Sequence, residues 1–487
     1  MCAVACAREK GTPPNAPVMR IGVGAPKGTP QTGSRGLVNL LKADTWLAIK
    51  PDGHVDKRIA TDWQWDSTGT VLRLKLRSDV YFHDGTLLTP QIAANVLRAT
   101  NTTNDNLSLK SVASFESEGS DTLVVRLKER NAFVLADLAG IPVVLPGKTD
   151  IGTGAYQVAK RNGSDATLTT LTAFPRYYRG QPSLAGVDVR NYETQRKAWT
   201  ALMRGEIDML YEVSRDSTEF VQAETTVRTY SFPRAYYIPL VFNVRHPILR
   251  SAEVRRAINE ALDRAALVRD GLRGLGSTAD GPVWPQHWAY EQPKQLFTFD
   301  PAAARTRLDK AGYPLEPNAE RRVPIRFSFK CMVMANDTRF DRIAVLVQKE
   351  LADIGIDMQL EPQPVDTMTK RFAAGDFEAF LFEMSGRSLS RVYDFWRSGG
   401  MMIDSGYQAA DGVLERIRAA QTDEETRAAV AELLAVMHDD PPAAFIAWQQ
   451  TSRAVSARFD IATEPGRDIL SNLWMWRLSA AGVQAAR

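Results

Sequence analysis

The run Tyr236-Tyr237-Ile238-Pro239-Leu240-Val241-Phe242-Asn243, with the helical pattern behind it, constrains the chain more than any other stretch. Tyr237 to Phe242 is apolar and of strand length, long enough to cross a protein core. Asn243 closes the run, and His246-Pro247 breaks the backbone pattern. Ser251 is placed to cap a following helix, with Glu253 in its first turn. Val254, Ala257, Ile258, Ala261, Leu262 and Ala265 fall on one helical face. Arg255, Arg256, Glu260 and Arg264 lie off that stripe, which predicts a solvated charged face with a Glu260–Arg264 pair one turn apart. Two readings fit: one more α/β unit, or a crossing between two lobes.

The chain has 487 residues, too many for one core, so two or three domains are expected. Sixty Lys and Arg stand against 57 Asp and Glu, a balance that gives no footprint for nucleic acid. No apolar run reaches bilayer length; the nearest, Phe133 to Leu145, contains Asp137 and Pro142. Three cysteines, Cys2, Cys6 and Cys331, make no disulfide framework. Small residues before Cys6 look like the end of a bacterial lipoprotein signal, although the apolar segment that should precede it is missing. Either the start lies upstream or the arrangement is accidental. Lys10 to Pro17 reads as a tether.

Further along, Val18 to Val23 reads as a strand entering a Gly/Pro loop, Gly24 to Gly33. Leu72, Leu74 and Leu76 alternate with polar residues in a half-buried strand. Asp84-Gly85 gives a turn, and Thr89-Pro90 starts a helix with Ile92, Ala93, Val96 and Leu97 inward. A second alternating strand runs Thr122 to Leu127, so residues from about 50 to 145 read as a small α+β insertion. Gly152-Thr153-Gly154-Ala155-Tyr156 is a tight turn into another strand. From Val187 to Leu210, and again from Asp300 to Phe382, strands and helices alternate as in α/β layers. Helices follow over Val413 to Ala420 and Glu424 to His438, and Ala443 to Trp448 reads as a strand returning to the first lobe. Trp474 and Trp476 are expected to be buried.

Motifs for nucleophilic, zinc or phosphate chemistry are absent. The five histidines include no pair at metal-binding spacing. His83, in Phe82-His83-Asp84-Gly85, is read as part of a turn, and His287 alone makes a poor metal site. Nothing in the sequence argues for an enzyme, a cofactor or a metal.

Several motifs in order then resemble one family. They are Ile59-Ala60-Thr61-Asp62-Trp63, Phe82-His83-Asp84-Gly85-Thr86, Gly152 to Tyr156, and Tyr178-Arg179-Gly180-Gln181-Pro182. Gly205-Glu206-Ile207-Asp208, Phe242-Asn243 with Val254 to Arg264, Asp300-Pro301 to Tyr313, and Leu351 to Ile356 complete the set. Together they resemble the family-five extracellular solute-binding proteins, the peptide- and nickel-type receptors of bacterial ABC importers. The resemblance implies an α/β, two-lobed periplasmic-binding-protein-like fold, with a hinge and a small extra α+β domain in the first lobe. It divides the chain into a tether at 1–17, a first lobe at 18–243 with the insertion at about 50–145, a second lobe at 244–442, and a return to the first lobe at 443–487. It further implies a monomer outside the cytoplasm, anchored to a membrane if Cys6 is lipidated. Such a receptor captures an oligopeptide-like or other polar organic ligand between closing lobes and delivers it to a permease. A sugar, opine or metal-chelate ligand is the alternative within the class, and a ligand sensor acting on a signalling partner the alternative outside it.

Peptide-binding members carry an aspartate in the loop after the strand equivalent to Ala379–Phe382, where it meets the ligand's amino group. Here that loop, Glu383 to Ser388, has no aspartate. Glu383 is a candidate amine anchor, set against the alternation from Phe382 that turns the neighbouring side chain inward instead, while Arg387 and Arg391 suit an anionic group. Met384, Ser385 and Tyr407 are expected on an adaptable wall, Trp284 and Trp288 as stacking platforms, Tyr236 and Tyr237 near the cleft, and Asn243 at the exit into the second lobe.

Overall fold

The computed structural model describes residues 16–24, 32–103, 107–159, 165–213, 221, 224–293, 296–315, 324–335, 337–400, 403–480 and 482. Cys2, Cys6 and the expected tether from Lys10 to Asn15 lie outside these residues, as does most of the loop after Gly24.

A single 12-stranded mixed sheet runs through both lobes. Its second-lobe end is built from Ile356–Gln363, Phe327–Met334 and Ala379–Leu381. Its first-lobe end is built from Met209–Leu210, Val18–Gly24, Gly186–Tyr192, Leu168–Ala173 and Tyr156–Val158. Two long antiparallel strands join the ends, Val227–Phe242 and Ala443–Ser456. Tyr237 to Val241 pairs with Ala443 to Trp448, and both strands extend well into the other lobe.

The ladder between them shifts register twice, once between Pro233 and Tyr237 and once between Ile238 and Pro239. Both shifts adjoin a proline, which has no N–H to give and is tolerated in a sheet chiefly at such irregularities. Below the first shift, Ser231 and Ser452 hydroxyls meet at 2.7 Å. Above it, Tyr237 to Phe242 and Ala443 to Trp448 are buried in one core with the second lobe's helices. The divisions expected at 243 and 443 assign these strand halves to the first lobe, whereas their side chains pack with the second.

The helix Ala252–Glu260 forms where expected, with Ser251 accepting from the Val254 amide. Val254, Ala257, Ile258, Ala261 and Leu262 of its apolar stripe are buried, whereas Ala265, beyond the helix end, is exposed. Its charged residues are not all in solvent, contrary to the sequence reading. Arg255 is 3% exposed and donates to the Pro441 carbonyl and Asp440 carboxylate, each at 2.6 Å. Arg264, also buried, donates to the Phe445 carbonyl at 2.7 Å and to Asn259 Oδ1 at 2.6 Å. Glu260 pairs with Arg307 at 2.7 Å rather than with Arg264. A guanidinium on a long stem reaches the carbonyls that the return strand leaves facing this helix, and helical spacing alone does not reveal such acceptors.

The insertion forms a separate four-stranded sheet, ordered Ala60–Trp65, Val71–Leu76, Thr122–Leu127 and Val112–Glu118, with helix Pro90–Thr103 against it. Leu72, Leu74 and Leu76 face its core as their alternation predicts. His83 clamps this unit to the first lobe. Its Nδ1 accepts from the Gly152 amide at 3.3 Å and its Nε2 lies 3.1 Å from the Gly154 carbonyl, an arrangement for neutral imidazole. Burial accordingly holds His83 below the usual histidine range.

Candidate functional site

The register shift at Pro233 leaves Arg234, Ala235 and Tyr236 opposite the single residue Gln449. Such a bulge re-aims side chains, and here all three line a cavity of about 690 Å³ between the lobes. Phe232 and Pro233 complete this floor. The first lobe contributes Asp44, Tyr177, Arg179, Tyr211 and Trp474, and the second Trp284, Gln286 and Arg387. A smaller cavity of about 340 Å³ lies between the insertion and the second lobe, with Trp63, Trp65 and Trp288 in its walls.

Two glycines set the guanidiniums on opposite walls. A Cβ on Gly386 would stand 2.4 Å from the Trp448 ring and 2.6 Å from the Pro282 carbonyl oxygen. Its absence lets the loop lie flat, with the Gly386 amide donating to the Ala235 carbonyl at 2.9 Å, and so fixes Arg387 at the cavity. Gly180 adopts φ +128° beside the Trp474 ring. The preceding Arg179 lies over that ring, 5.3 Å from its centroid.

Acidic groups at the wall are already engaged. Asp44 accepts from Arg58 Nη1 at 2.5 Å and from the Tyr177 hydroxyl at 2.8 Å. Burial, and then the Asp44 charge, push the Tyr177 hydroxyl well above the usual tyrosine range, so it stays a donor. Asp468 accepts from Arg453 Nε at 2.7 Å. Glu383 is 2.9 Å from Gln449 Nε2 and 3.5 Å from Arg234, which removes it as a ready amine anchor. No group of three or more potential metal-ligating His, Cys, Asp or Glu side chains occurs among the described residues.

Of the residues singled out from sequence, Tyr236, Trp284 and Arg387 meet in the large cavity. Trp288 lines the smaller one, stacked on His54 at 5.0 Å. Tyr237 and Met384 are core: the Tyr237 hydroxyl accepts from Trp396 Nε1 at 2.9 Å, and Met384 pairs with Tyr237 across the sheet. Ser385 pairs with Tyr236 on the sheet and does not line the cavity. Asn243 donates to the Gly375 and Phe377 carbonyls at 3.1 and 2.7 Å, tying a loop away from the cleft. Arg391 turns to Asp394 at 3.4 Å, and Tyr407 is buried in the second-lobe core. Arg179, Arg234, Tyr211, Phe232 and Trp474 were not singled out. Pro233 was the legible trace of the bulge carrying Arg234. Trp474, expected to be buried, is half-exposed at the cavity wall.

A cleft between two lobes, floored by paired strands that cross from one to the other, defines a two-lobed ligand-binding protein. The chain belongs to the bacterial extracellular solute-binding proteins, family 5, whose model matches residues 54–401. It is 25% identical over 320 residues to the glutathione-binding protein GsiB of Escherichia coli K12, an alignment spanning 62% of this chain and 60% of GsiB. In fold it is similar to NikA from Brucella suis in complex with Fe(III)-EDTA, with a TM-score of 0.82, 18% identity and coverage of 94% of this chain and 100% of that one. It is similar also to the oligopeptide-binding protein AppA of Bacillus subtilis in complex with a nonapeptide (TM-score 0.78, 19% identity, 95% and 98% covered).

Proposed function

We propose that the protein is the solute-binding receptor of an ABC importer, holding an oligopeptide-like or other polar organic ligand between its lobes for delivery to a membrane permease. The observation that carries this is the 690 Å³ cavity with both lobes in its walls and the crossing strands as its floor. Its volume is that of a small-molecule site, and hinge closure around such a site is a known way to enclose a ligand. Aromatic faces at Tyr236, Trp284 and Trp474 with several guanidiniums suit a polar organic molecule. The ligands of these relatives, glutathione for GsiB and a nonapeptide for AppA, support the same class. The family description supports a place outside the cytoplasm. No helix among the described residues is long and apolar enough to cross a membrane. Binding, rather than turnover, fits a wall whose acids are held in ion pairs.

Native mass spectrometry of the purified protein tests this. The expected result is an adduct of a few hundred daltons, lost on denaturation and recovered in the small-molecule fraction. Failure of the protein to retain or take up any component of a small-molecule extract would defeat the reading.

A further inference from the structure

Resting on that receptor reading, we propose that the ligand is an organic anion with at least two acidic groups, one met by Arg179 from the first lobe and one by Arg387 from the second. Seven of the cavity's lining residues are Lys or Arg and two are Asp. The chain as a whole is nearly balanced at +3, so this excess is local. Most of the bases are already paired. Arg58 faces Asp44, Arg453 faces Asp468, Arg467 faces Glu464 and Arg234 faces Glu383. Lys50 lies near Asp52. Arg179 and Arg387 make no ion pair among the described residues.

The two differ in support but not in what they offer. Arg179 uses its face on Trp474, which leaves its in-plane N–H donors for an acid. Arg387 stands on a loop seated by Gly386 against Trp448 and Pro282. Carboxylate and phosphate both match a guanidinium fork through two parallel hydrogen bonds. Closure brings two cationic walls together in a confined, poorly screened space, which repels unless an anion lies between them. A ligand that neutralises both walls therefore favours the closed arrangement, the differential affinity that closure requires. A neutral or cationic ligand leaves the repulsion in place.

The experiment is thermal denaturation of the full chain with a bacterial small-molecule extract divided on an anion exchanger. Aliquots of the retained pool are methyl-esterified or treated with phosphatase. The retained pool should stabilise the protein, and the unretained pool should not. Esterification abolishes the effect if the acids are carboxylates, and phosphatase abolishes it if they are phosphates. Arg179→Gln and Arg387→Gln should each weaken the half-maximal response to the retained pool by about tenfold to a hundredfold. Without extract Arg387→Gln should melt with the wild type, since its side chain makes no ion pair among the described residues, and Arg179→Gln slightly below it, having lost only its stacking on the Trp474 ring. Stabilisation confined to the unretained pool, surviving both treatments, or unchanged in both variants would overturn the proposal. No stabilisation by either pool would overturn the receptor reading itself, and this proposal with it.

Discussion

Arg255 and Arg256 are neighbours on one helix with opposite environments. Arg255 is buried against Asp440 and the Pro441 carbonyl, while Arg256 is half-exposed and pairs with Glu253 at 3.5 Å. Arg255→Ala leaves the Pro441 carbonyl without its donor and frees the half-exposed Asp440 carboxylate to water, and is expected to destabilise the protein by about 1–3 kcal/mol. Arg256→Ala should cost no more than about 1 kcal/mol. Urea denaturation of both variants distinguishes them. Nothing in the spacing separates the two arginines, because the acceptors belong to a segment almost two hundred positions away. His287 shows the same dependence on distant structure. Burial first, then the nearby His54, lower it to about 4, and its Nδ1 accepts from the Ala289 amide at 3.1 Å, which requires the neutral ring. Asp52 opposes the shift. A depressed pKa contributes stability that is complete above the unfolded value of about 6.5 and lost as pH falls toward 4. The stability difference between wild type and His287→Gln should therefore shift against wild type by about 3 kcal/mol between pH 7 and pH 4. A pH-independent difference in equilibrium unfolding would refute the neutral assignment.

Elements were the most legible level, and their limits the least. The strand Val71–Leu76, the helix Pro90–Thr103 after its Thr89 cap, and the helix Pro301–Lys310 after Asp300 stand where alternation and capping place them. The helix Leu389–Trp396, capped by Ser388, follows the loop from which site residues were drawn, and it turns Arg391 toward Asp394 rather than the cavity. A single-sequence pattern gives the period of a side chain but not which neighbour captures it. The crossing strands illustrate this. Their apolar halves identified them, while Pro233 stands at the bulge that aims Arg234 and Tyr236 at the cleft. Gly386→Ala belongs to this scale. The added Cβ meets a tryptophan ring and a backbone oxygen, so the loop must move, at about 1–3 kcal/mol. Because Arg387 moves with it, the response to the retained anionic pool should fall in parallel; unaltered binding in a thermal titration would show that the loop does not position Arg387.

At the scale of the whole molecule, two lobes and an insertion were readable because each has its own sequence of elements and its own core. The cavity was only partly readable, since its walls come from segments distant in the chain and neighbouring side chains such as Tyr237, Met384 and Tyr407 serve the core instead. The insertion and the second lobe also touch. Ser390 Oγ donates to Asp137 at 2.6 Å, and the Trp288 amide to the Asp52 carbonyl at 2.7 Å. Ser390→Ala removes a hydrogen bond to a buried carboxylate, worth about 1–3 kcal/mol, from the arrangement in which the lobes meet. It should weaken apparent ligand affinity about fivefold or more in the same titration, without altering the cavity wall. Small-angle X-ray scattering measures closure of the lobes on a ligand directly. Protein stripped of ligand by unfolding and refolding should show a smaller radius of gyration once the retained anionic pool is added. An unchanged radius of gyration in the presence of a pool that raises the melting temperature would contradict closure.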